Sequence, residues 1–250
     1  KDGEVMSKSK GNTVAPDTII ARYGADTLRL YILFVAPPEM PLEWQDDQIE
    51  GPHKFLLRVW RLLDRHAGEL ASEVRQKIPA ELAPPARQLR RKVHQTIARV
   101  TEDIDGRMKL NTAVAALMEL VNEIYRLEAE VDSGPGRPVL QEALETLVLL
   151  LAPFAPHACE EMWMRLGRRS SVVNRNWPVA DPGVAREDSI EIPVQIGGKV
   201  RARIMVAQGA NEEDVRRAAL DDPKIKELIA GKEIVKVVVV VPRLVNLVLR

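Results

Sequence analysis

The sequence predicts a multi-domain, mainly α-helical protein in which an antiparallel helix bundle precedes a small α+β C-terminal domain. Hydrophobic residues recur at spacings of three and four through residues 47–167, as in helices that bury one face against their neighbours. From residue 190, apolar and polar residues alternate with the period of half-buried strands. Residues 168–189 show neither period and are predicted to be a linker, anchored by Trp177 and Pro178.

The composition indicates a globular protein outside the membrane. Hydrophobic residues make up 46% and charged residues 29% of the 250 positions, and no run approaches the ~18 apolar residues that cross a bilayer. The formal net charge is zero, so any surface that binds nucleic acid has to be local. The single cysteine, Cys159, excludes an internal disulfide and fits a reducing, cytoplasmic setting. The four histidines lack metal-ligand spacing, so no metal site is predicted.

The first part of the chain is predicted to be a loop followed by two helices. Residues 1–16 contain glycine, serine and proline without a regular period. A short helix is predicted from Pro16 to Tyr23 and ends at Gly24, and a second is predicted from Ala25 to Val35. Asp26 lies in the first turn of the second helix, where a negative charge is favourable. Three prolines then form a stiff connector: Pro37, Pro38 and Pro41.

The predicted bundle contains several amphipathic stripes. The first consists of Phe55, Leu56, Val59, Leu62 and Leu63; the second of Val93, Ile97, Val100 and Ile104; the third of Leu110, Val114, Leu117, Leu120, Ile124 and Leu127. A fourth, more deeply buried segment is predicted from Leu140 to Leu151. Asn111 and Thr112 are predicted to cap the third helix.

The C-terminal module, residues 190–250, is predicted to combine strands with two short helices. Gly197 and Gly198 form a two-residue hairpin signal between two alternating segments. Short helices are expected at about 211–220 and 223–229. Strands from Ile234 to Val241 and from Leu244 to Leu249 then complete the module.

The loop Met6-Ser7-Lys8-Ser9-Lys10-Gly11-Asn12 has the composition of an anion-binding site. Two lysines supply mobile positive charges, two serines supply hydroxyl donors, and Gly11 lets the backbone approach a ligand closely. The alternative interpretation is a solvated surface loop. In its context, however, the string resembles the KMSKS signature of class I aminoacyl-tRNA synthetases. The sequel typical of that family is also present: Asn12-Thr13-Val14, Pro16, Tyr23-Gly24-Ala25-Asp26 and Leu28-Arg29.

The resemblance implies a catalytic role for Lys8, the second lysine of the signature. Its ammonium would neutralise the ATP phosphates and the charge that builds on pyrophosphate as the amino acid carboxylate attacks the α-phosphorus. Further ATP contacts are implied for the other residues of the loop: Met6, Ser7, Ser9 and Lys10. The sequence departs from the signature at Val5, which replaces the first lysine and leaves Lys8 with less help.

Later stretches resemble the bacterial-type leucyl enzymes within this family, so the likeness covers essentially the whole chain. These stretches are Ala36-Pro37-Pro38-Glu39, Leu42-Glu43-Trp44, Ile49-Glu50-Gly51, Phe55-Leu56, Arg58-Val59-Trp60, Val194-Gln195-Ile196 and Gly198-Lys199-Val200-Arg201. The segment from Leu151 to His157 is shared across the Leu, Ile and Val group. The resemblance implies three domains: the C-terminal end of a class I catalytic domain (1–46), an anticodon-binding-type bundle (47–167) and a C-terminal tRNA-binding domain (190–250).

The function implied by the resemblance is leucine–tRNA ligation with ATP and Mg²⁺, the Mg²⁺ being held mainly outside this chain. The chain is expected to be the C-terminal part of such an enzyme, to need the upstream portion or subunit as a partner, and to be inactive alone. Alternatives are a stand-alone RNA-binding protein built from synthetase domains, a natural subunit of a split synthetase, or a valyl or isoleucyl enzyme. Recovery of aminoacylation after mixing with the upstream polypeptide would argue against the RNA-binding protein, and a charging assay would settle which amino acid is used.

Basic residues predict where tRNA-Leu would bind. On one predicted helix Lys54, Arg58, Arg61 and Arg65 are spaced four, three and four, so they share a face. In the last module Lys199, Arg201 and Arg203 alternate along a strand, which predicts that all three leave one side of the sheet. Arg29 is added by the family resemblance. Solvated faces are the alternative interpretation, whereas phosphate contacts would position RNA without reading its sequence.

Overall fold

The computed structural model describes residues 1, 3–37, 39–72, 76–186 and 189–250. The chain divides into two compact units, Lys1–Ala185 and Arg186–Arg250, each with its own hydrophobic core. Pro38 of the predicted connector and positions 187 and 188 of the predicted linker lie outside the described residues.

The first unit is helical. A 3₁₀ turn, Lys8–Lys10, precedes the helices α1 (Pro16–Tyr23), α2 (Ala25–Val35), α3 (Glu50–Ser72), α4 (Pro84–Thr101), α5 (Leu110–Val131), α6 (Arg137–Leu151), α7 (Pro156–Arg165) and α8 (Pro182–Ala185). The two N-terminal helices have the predicted bounds, and Gly24, with φ of 86°, separates them. Prolines begin four of these helices because the ring fixes a helical φ where no intrahelical donor is required.

A small core joins the N-terminal loop to α2. Tyr31, Trp44 and Ile49 are buried, and the half-buried side chain of Met6 packs against them. The Tyr31 and Trp44 rings pack edge to face, with their centroids 5.0 Å apart. The Tyr31 hydroxyl accepts from the backbone N–H of Gln45 at 3.2 Å. These contacts fix the connector that follows α2 and, through Met6, one end of the loop formed by residues 6–12, the lysine loop.

The bundle core confirms the predicted stripes. Helices α4, α5 and α6 pack against one another, and α7 packs on α3 and α6. Along α5 every member of the stripe except the first is buried: Val114, Leu117, Leu120, Ile124 and Leu127. Almost the whole surface of α6 is covered. Each buried leucine contributes about 1.5–3 kcal/mol relative to an exposed one, so aliphatic packing holds the bundle together.

The predicted cap of α5 is wrong. The helix begins at Leu110, preceded by Lys109, whose side chain makes no capping hydrogen bond. A π-helical segment, Glu102–Gly106, extends α4 and buries Asp103. The Thr112 hydroxyl therefore donates to the Asp103 carboxylate at 2.7 Å instead of capping its own helix.

Gly167 provides a test of the packing between α7 and α3. It follows α7 with φ of 76°, and a Cβ there would lie 2.9 Å from the Cα of Ala71. We expect Gly167→Ala to destabilise the first unit by about 1–2 kcal/mol from backbone strain alone, with the contact adding to it. Tryptophan fluorescence during urea unfolding measures this, because all four tryptophans lie in the first unit.

Gly68 is the matched control for that substitution. It lies within α3, where a Cβ meets nothing within 4 Å, so Gly68→Ala should stabilise by about 0.5–1 kcal/mol. Equal effects of the two substitutions would contradict the close packing at Gly167.

Most of the segment predicted to be a linker packs on the first unit. Val172 is buried, and the Trp177 indole N–H donates to the Thr101 hydroxyl at 2.8 Å. The backbone N–H of Asp181 donates to Nδ1 of His94 at 3.0 Å. The compact unit consequently extends to Ala185, and the hydrogen bond of Trp177 is the anchor expected from the sequence.

The second unit has four strands and two helices in its described part. The strands β1 (Ser189–Ile196), β2 (Lys199–Ala207), β3 (Ile234–Val240) and β4 (Leu244–Leu249) form a sheet in the order β2-β1-β4-β3. The β1–β4 pair is parallel and the other two pairs are antiparallel. Helices α9 (Glu212–Asp221) and α10 (Pro223–Ile229) pack against the sheet. Gly197 and Gly198 adopt φ of 57° and 80°, as the predicted two-residue hairpin requires.

Candidate functional site

The lysine loop is closed by the side chain of Asn12. Its Oδ1 accepts from the backbone N–H of Ser7 at 2.9 Å, and its Nδ2 donates to the carbonyl of Val5 at 3.3 Å. Gly11, with φ of 63°, turns the chain so that its N–H donates to the carbonyl of Lys8 at 3.2 Å. The loop therefore has a defined conformation, with Lys8–Lys10 at its tip.

The two lysines of this loop differ in their electrostatic surroundings. Lys10 Nζ lies 3.0 Å from Glu4 Oε2 in an exposed ion pair. Lys8 is exposed and forms no ion pair or hydrogen bond through its side chain with any residue that the structure describes. Its positive charge is thus available to an incoming anion, whereas the charge of Lys10 is partly offset.

The other residues of the lysine loop supply two hydroxyl donors near Lys8 and one side chain that is fixed in the small core. The Ser7 and Ser9 hydroxyls lie 3.2 Å apart, so each can turn to a ligand at little cost. Met6 is held in the small core beneath the loop, which gives it a supporting position. Val5 is 83% exposed and supplies no charge. The unpaired ammonium of Lys8, the two serine hydroxyls and the uncrowded backbone at Gly11 together suit a phosphate-bearing ligand.

A buried carboxylate connects α2 to α7. Asp26 is 8% exposed; its Oδ2 accepts from the backbone N–H of Ala158 at 2.6 Å and its Oδ1 lies 2.8 Å from His157 Nδ1. The residue before α7, Ala155, has no side chain able to cap that helix. Asp26 supplies the cap from a distant segment. Sequence reasoning missed this role, although the missing cap before Pro156 was a usable signal.

The basic face predicted on α3 is only partly free. Lys54 pairs with Glu50 at 2.8 Å. Arg58 donates to Asn122 Oδ1 at 2.9 Å and lies over the Tyr125 ring. Arg61 is exposed and makes no side-chain hydrogen bond or ion pair with the described part of the chain. Among the predicted tRNA contacts of this helix, Arg61 is therefore the one whose charge is most available.

Arg29 and Arg65 take part in contacts within the first unit. Arg29 donates to the carbonyl of Pro153 at 3.2 Å, which ties α2 to the turn before α7. Arg65 pairs with Glu128. Both are exposed, so each would have to exchange or share its present partner to contact RNA.

The expectation that Lys199, Arg201 and Arg203 share one face is wrong for Lys199. The β1–β2 register shifts between Val194 and Gln195, so that Ala202 faces Val194 while Lys199 faces Ile196. Arg201 is the extra residue of the bulge, and the shift moves Lys199 to the side of the sheet to which Ile196 belongs.

Arg201 and Arg203 are exposed on β2. Arg203 Nη1 pairs with Glu191 on the neighbouring strand at 2.5 Å. Arg201 forms no side-chain ion pair or hydrogen bond with the described residues, so its charge is more available than that of Arg203.

The described ranges contain neither a metal-ligating cluster nor a membrane-spanning helix. No three side chains of His, Cys, Asp or Glu converge there in a way that could hold a metal ion. None of the described helices has the length and apolar character that a bilayer span needs. Cys159 is buried, and burial raises the pKa of its thiol well above the usual value.

Two protein families match parts of this chain. Residues 86–216, more than half of the sequence, match the anticodon-binding domain of tRNA ligase. Residues 1–45, which contain the lysine loop, match the class I tRNA synthetases for I, L, M and V. The chain belongs to the tRNA ligase family that carries this anticodon-binding domain.

The similar proteins include leucine–tRNA ligases and a solved LeuRS chain. A leucine–tRNA ligase of Thioalkalivibrio sulfidiphilus is 48% identical over all 250 residues, and one of Nitrosococcus oceani is 45% identical over 99% of the chain. A LeuRS–tRNA–LeuAMS ternary complex from Agrobacterium radiobacter has a protein chain that is 31% identical, with a TM-score of 0.83 over the whole chain. The chain spans about 30% of the length of these curated relatives and 32% of that solved chain.

Proposed function

We propose that this chain is the part of a leucine–tRNA ligase that carries the ATP-phosphate loop and the tRNA-binding domains. The observation that supports this most strongly is the identity of 45–48% to leucine–tRNA ligases along 99–100% of the chain. In this proposal the chain acts together with the remaining sequence that those relatives have. A cytoplasmic setting, in which the lone thiol stays reduced, belongs to the same proposal.

The proposed role of the lysine loop is to bind the phosphates of ATP. Lys8 would place its ammonium beside the triphosphate and offset the charge that develops on pyrophosphate during leucyl-adenylate formation. The hydroxyls of Ser7 and Ser9 would donate to phosphate oxygens. Mg²⁺ would arrive with ATP and be held mainly by parts of the ligase outside these residues. Met6 would support the loop from the small core, and Lys10 would assist after leaving Glu4.

The proposed partner is tRNA-Leu. Support comes from the match to the anticodon-binding domain and from the similar LeuRS chain, which was solved with tRNA. Arg61 on α3 and Arg201 on β2 are the first candidates for phosphate contacts, because each is exposed and makes no side-chain ion pair with the described residues. Lys199 is equally unpaired there but lies on the side of the sheet to which Ile196 belongs. Lys54, Arg58, Arg29, Lys199 and Arg203 remain candidates of lower rank.

The partner is tested by filter binding of tRNA-Leu to the 250-residue chain at several salt concentrations. We expect weak binding whose affinity falls roughly 10- to 50-fold between about 50 and 200 mM salt, as about three phosphate contacts would give. Arg61→Ala should reduce the slope of the log–log plot by about one phosphate contact. Arg126→Ala is the control, since Arg126 donates twice to Glu123 and its charge is already offset. Absence of binding at low salt would remove tRNA from the proposal.

A further inference from the structure

An open groove on the first unit is formed by the start of α2, the first half of α3 and the start of α7. Its volume is about 390 Å³, within the range of about 300–1,000 Å³ that small-molecule sites occupy. Most of its wall is apolar or aromatic. The wall includes the side chains of Tyr23, His53, Leu57, Trp60, His157 and Met162. None of these residues belongs to the lysine loop.

The aromatic side chains of the groove are fixed by contacts with their neighbours. The rings of Tyr23 and His53 pack edge to face, with their centroids 5.4 Å apart. The guanidinium of Arg165 lies 4.8 Å from the centroid of the Trp60 ring. Leu57 is 38% exposed in the same groove, although its side chain is large and apolar. Ordered rings beside an exposed leucine form a surface on which a flat molecule can pack.

Two imidazoles give the groove a polar edge. Nδ1 of His53 lies 3.4 Å from the Thr27 hydroxyl, and Nδ1 of His157 lies 2.8 Å from the Asp26 carboxylate. Nε2 of each ring has no hydrogen-bond partner among the described residues. His157 is 78% exposed, and Nε2 of the half-buried His53 is not an enclosed atom. Both nitrogens are therefore open to a ligand, and each can donate or accept.

The charged groups at the groove separate into a floor and a rim. Asp26 lines the floor and is 8% exposed, so its carboxylate disfavours a second negative charge inside the groove. On the rim, the guanidinium of Arg22 lies 4.8 Å from the centroid of the Tyr23 ring. Arg61 follows Leu57 by one turn of α3 and lies on the same side. Both arginines are exposed, and neither forms a side-chain ion pair with the described residues.

The other cations beside the groove already have acidic partners. These pairs are Lys54 with Glu50 and Arg165 with both Asp64 and Glu161. Lys54 is the main cause that holds the pKa of Glu50 below its usual value, and Arg22 contributes a smaller part. Arg61, and to a lesser degree Arg22, are consequently left to attract an external anion. The groove therefore suits a neutral, flat group inside and phosphate at its rim.

We propose that this groove receives an unstacked base of a bound tRNA, and that Arg22 and Arg61 contact the phosphates next to that base. A nucleotide combines the two properties that the groove favours, a neutral planar base and an anionic backbone. The base would pack against Leu57 and Trp60, and its polar edge would meet the two imidazoles. The inference rests on the proposed function, because it says where the bound tRNA places one of its nucleotides.

The first test follows the C2–H proton signals of the four histidines by NMR while tRNA-Leu is added to the 250-residue chain. His53→Gln identifies the signal of interest. We expect that signal to shift saturably through the ring current of the inserted base. His66 and His94 are 4% and 6% exposed and do not line the groove, so their signals should stay in place. A fully paired RNA duplex offers no unstacked base and should leave the His53 signal unchanged.

The second test fills the groove. Ala25 is half-buried, lines the wall and occupies the first position of α2. Ala25→Phe should lower tRNA affinity in filter binding about 5- to 30-fold, as loss of one stacked base gives. The dependence of affinity on salt should keep its slope, because no phosphate contact is removed. Ala21→Phe is the matched control and should bind as the unsubstituted chain does, since Ala21 is exposed on α1 and does not line the groove.

Leu57→Ala tests the groove without adding bulk. The side chain is already partly exposed, so its removal costs the fold little, and tRNA affinity should fall about 2- to 5-fold from lost apolar contact. Unchanged affinity in both Ala25→Phe and Leu57→Ala would overturn the inference and leave the proposed function in place. The same holds for a His53 signal that tRNA does not move although it binds, or that the duplex moves equally.

Two other outcomes also count against the groove. Equal weakening by Ala25→Phe and Ala21→Phe would assign the RNA contact to the surface of α1 instead. A chain that binds no tRNA at low salt would contradict the proposed function and the inference together, so the two failures are distinguished by whether filter binding is retained.

Discussion

Lys8→Ala should slow leucine-dependent ATP–pyrophosphate exchange by about 100- to 1,000-fold, the usual cost of removing one preorganised charge-stabilising group. The measurement requires a full-length ligase that contains these 250 residues together with the remaining sequence of the relatives. The expected loss is in kcat, because charge accumulates on the pyrophosphate in the transition state rather than in bound ATP. Val5 carries no charge that could replace the missing ammonium.

Lys10→Ala is the matched control, since it removes the same chemical group two residues away. Lys10 is paired with Glu4, so its loss should change the exchange rate less than about tenfold, the equivalent of 1.4 kcal/mol. Lys8→Arg keeps the charge but changes its geometry and should fall between the two. An exchange rate unaffected by Lys8→Ala would remove the proposed role of the loop. Charging of tRNA-Leu, tRNA-Val and tRNA-Ile by the same protein settles which amino acid is used.

The helices and strands could be predicted because each depends on a local pattern. The stripe on α5 has the period of a helix buried on one side, and the two glycines at 197 and 198 allow the positive φ of the hairpin. Proline at the first position and glycine after the last placed α1 closely. These signals are read from neighbouring residues alone, so no knowledge of tertiary contacts was needed.

Predictions that required side chains to keep a regular alternation or to cap locally were less successful. Lys199 appeared to share a face with Arg203, but a bulge inserts one residue and reverses the side on which Lys199 lies. Thr112 had the chemistry of a cap, yet a π-helical extension of α4 brought Asp103 within its reach. Neither the bulge nor the π-helical segment has a distinct sequence signal here.

The difference in charge availability between Lys8 and Lys10 also required the structure. The family signature singles out Lys8, but the composition of the loop does not show that Lys10 is paired, whereas the fold places Glu4 against Lys10 alone.

Asp26→Ala is expected to destabilise the first unit by about 2–3 kcal/mol. The substitution removes the cap of α7 and leaves the N–H of Ala158 without its acceptor in a partly buried position. For a unit of this size the melting temperature should fall by about 4–12 °C. Tryptophan fluorescence follows the loss, since Trp60 lies on α3, Trp163 lies on α7 and all four indoles belong to this unit.

Two further variants separate the possible causes of that loss. Asp17→Ala removes an exposed carboxylate from the first turn of α1 and should change stability by no more than about 0.5 kcal/mol. His157→Ala removes the other partner of Asp26, but the imidazole is 78% exposed, so water can replace it. If the loss comes mainly from the cap of α7, His157→Ala should destabilise the unit much less than Asp26→Ala does. Equal losses would show instead that the imidazole–carboxylate contact holds α2 against α7.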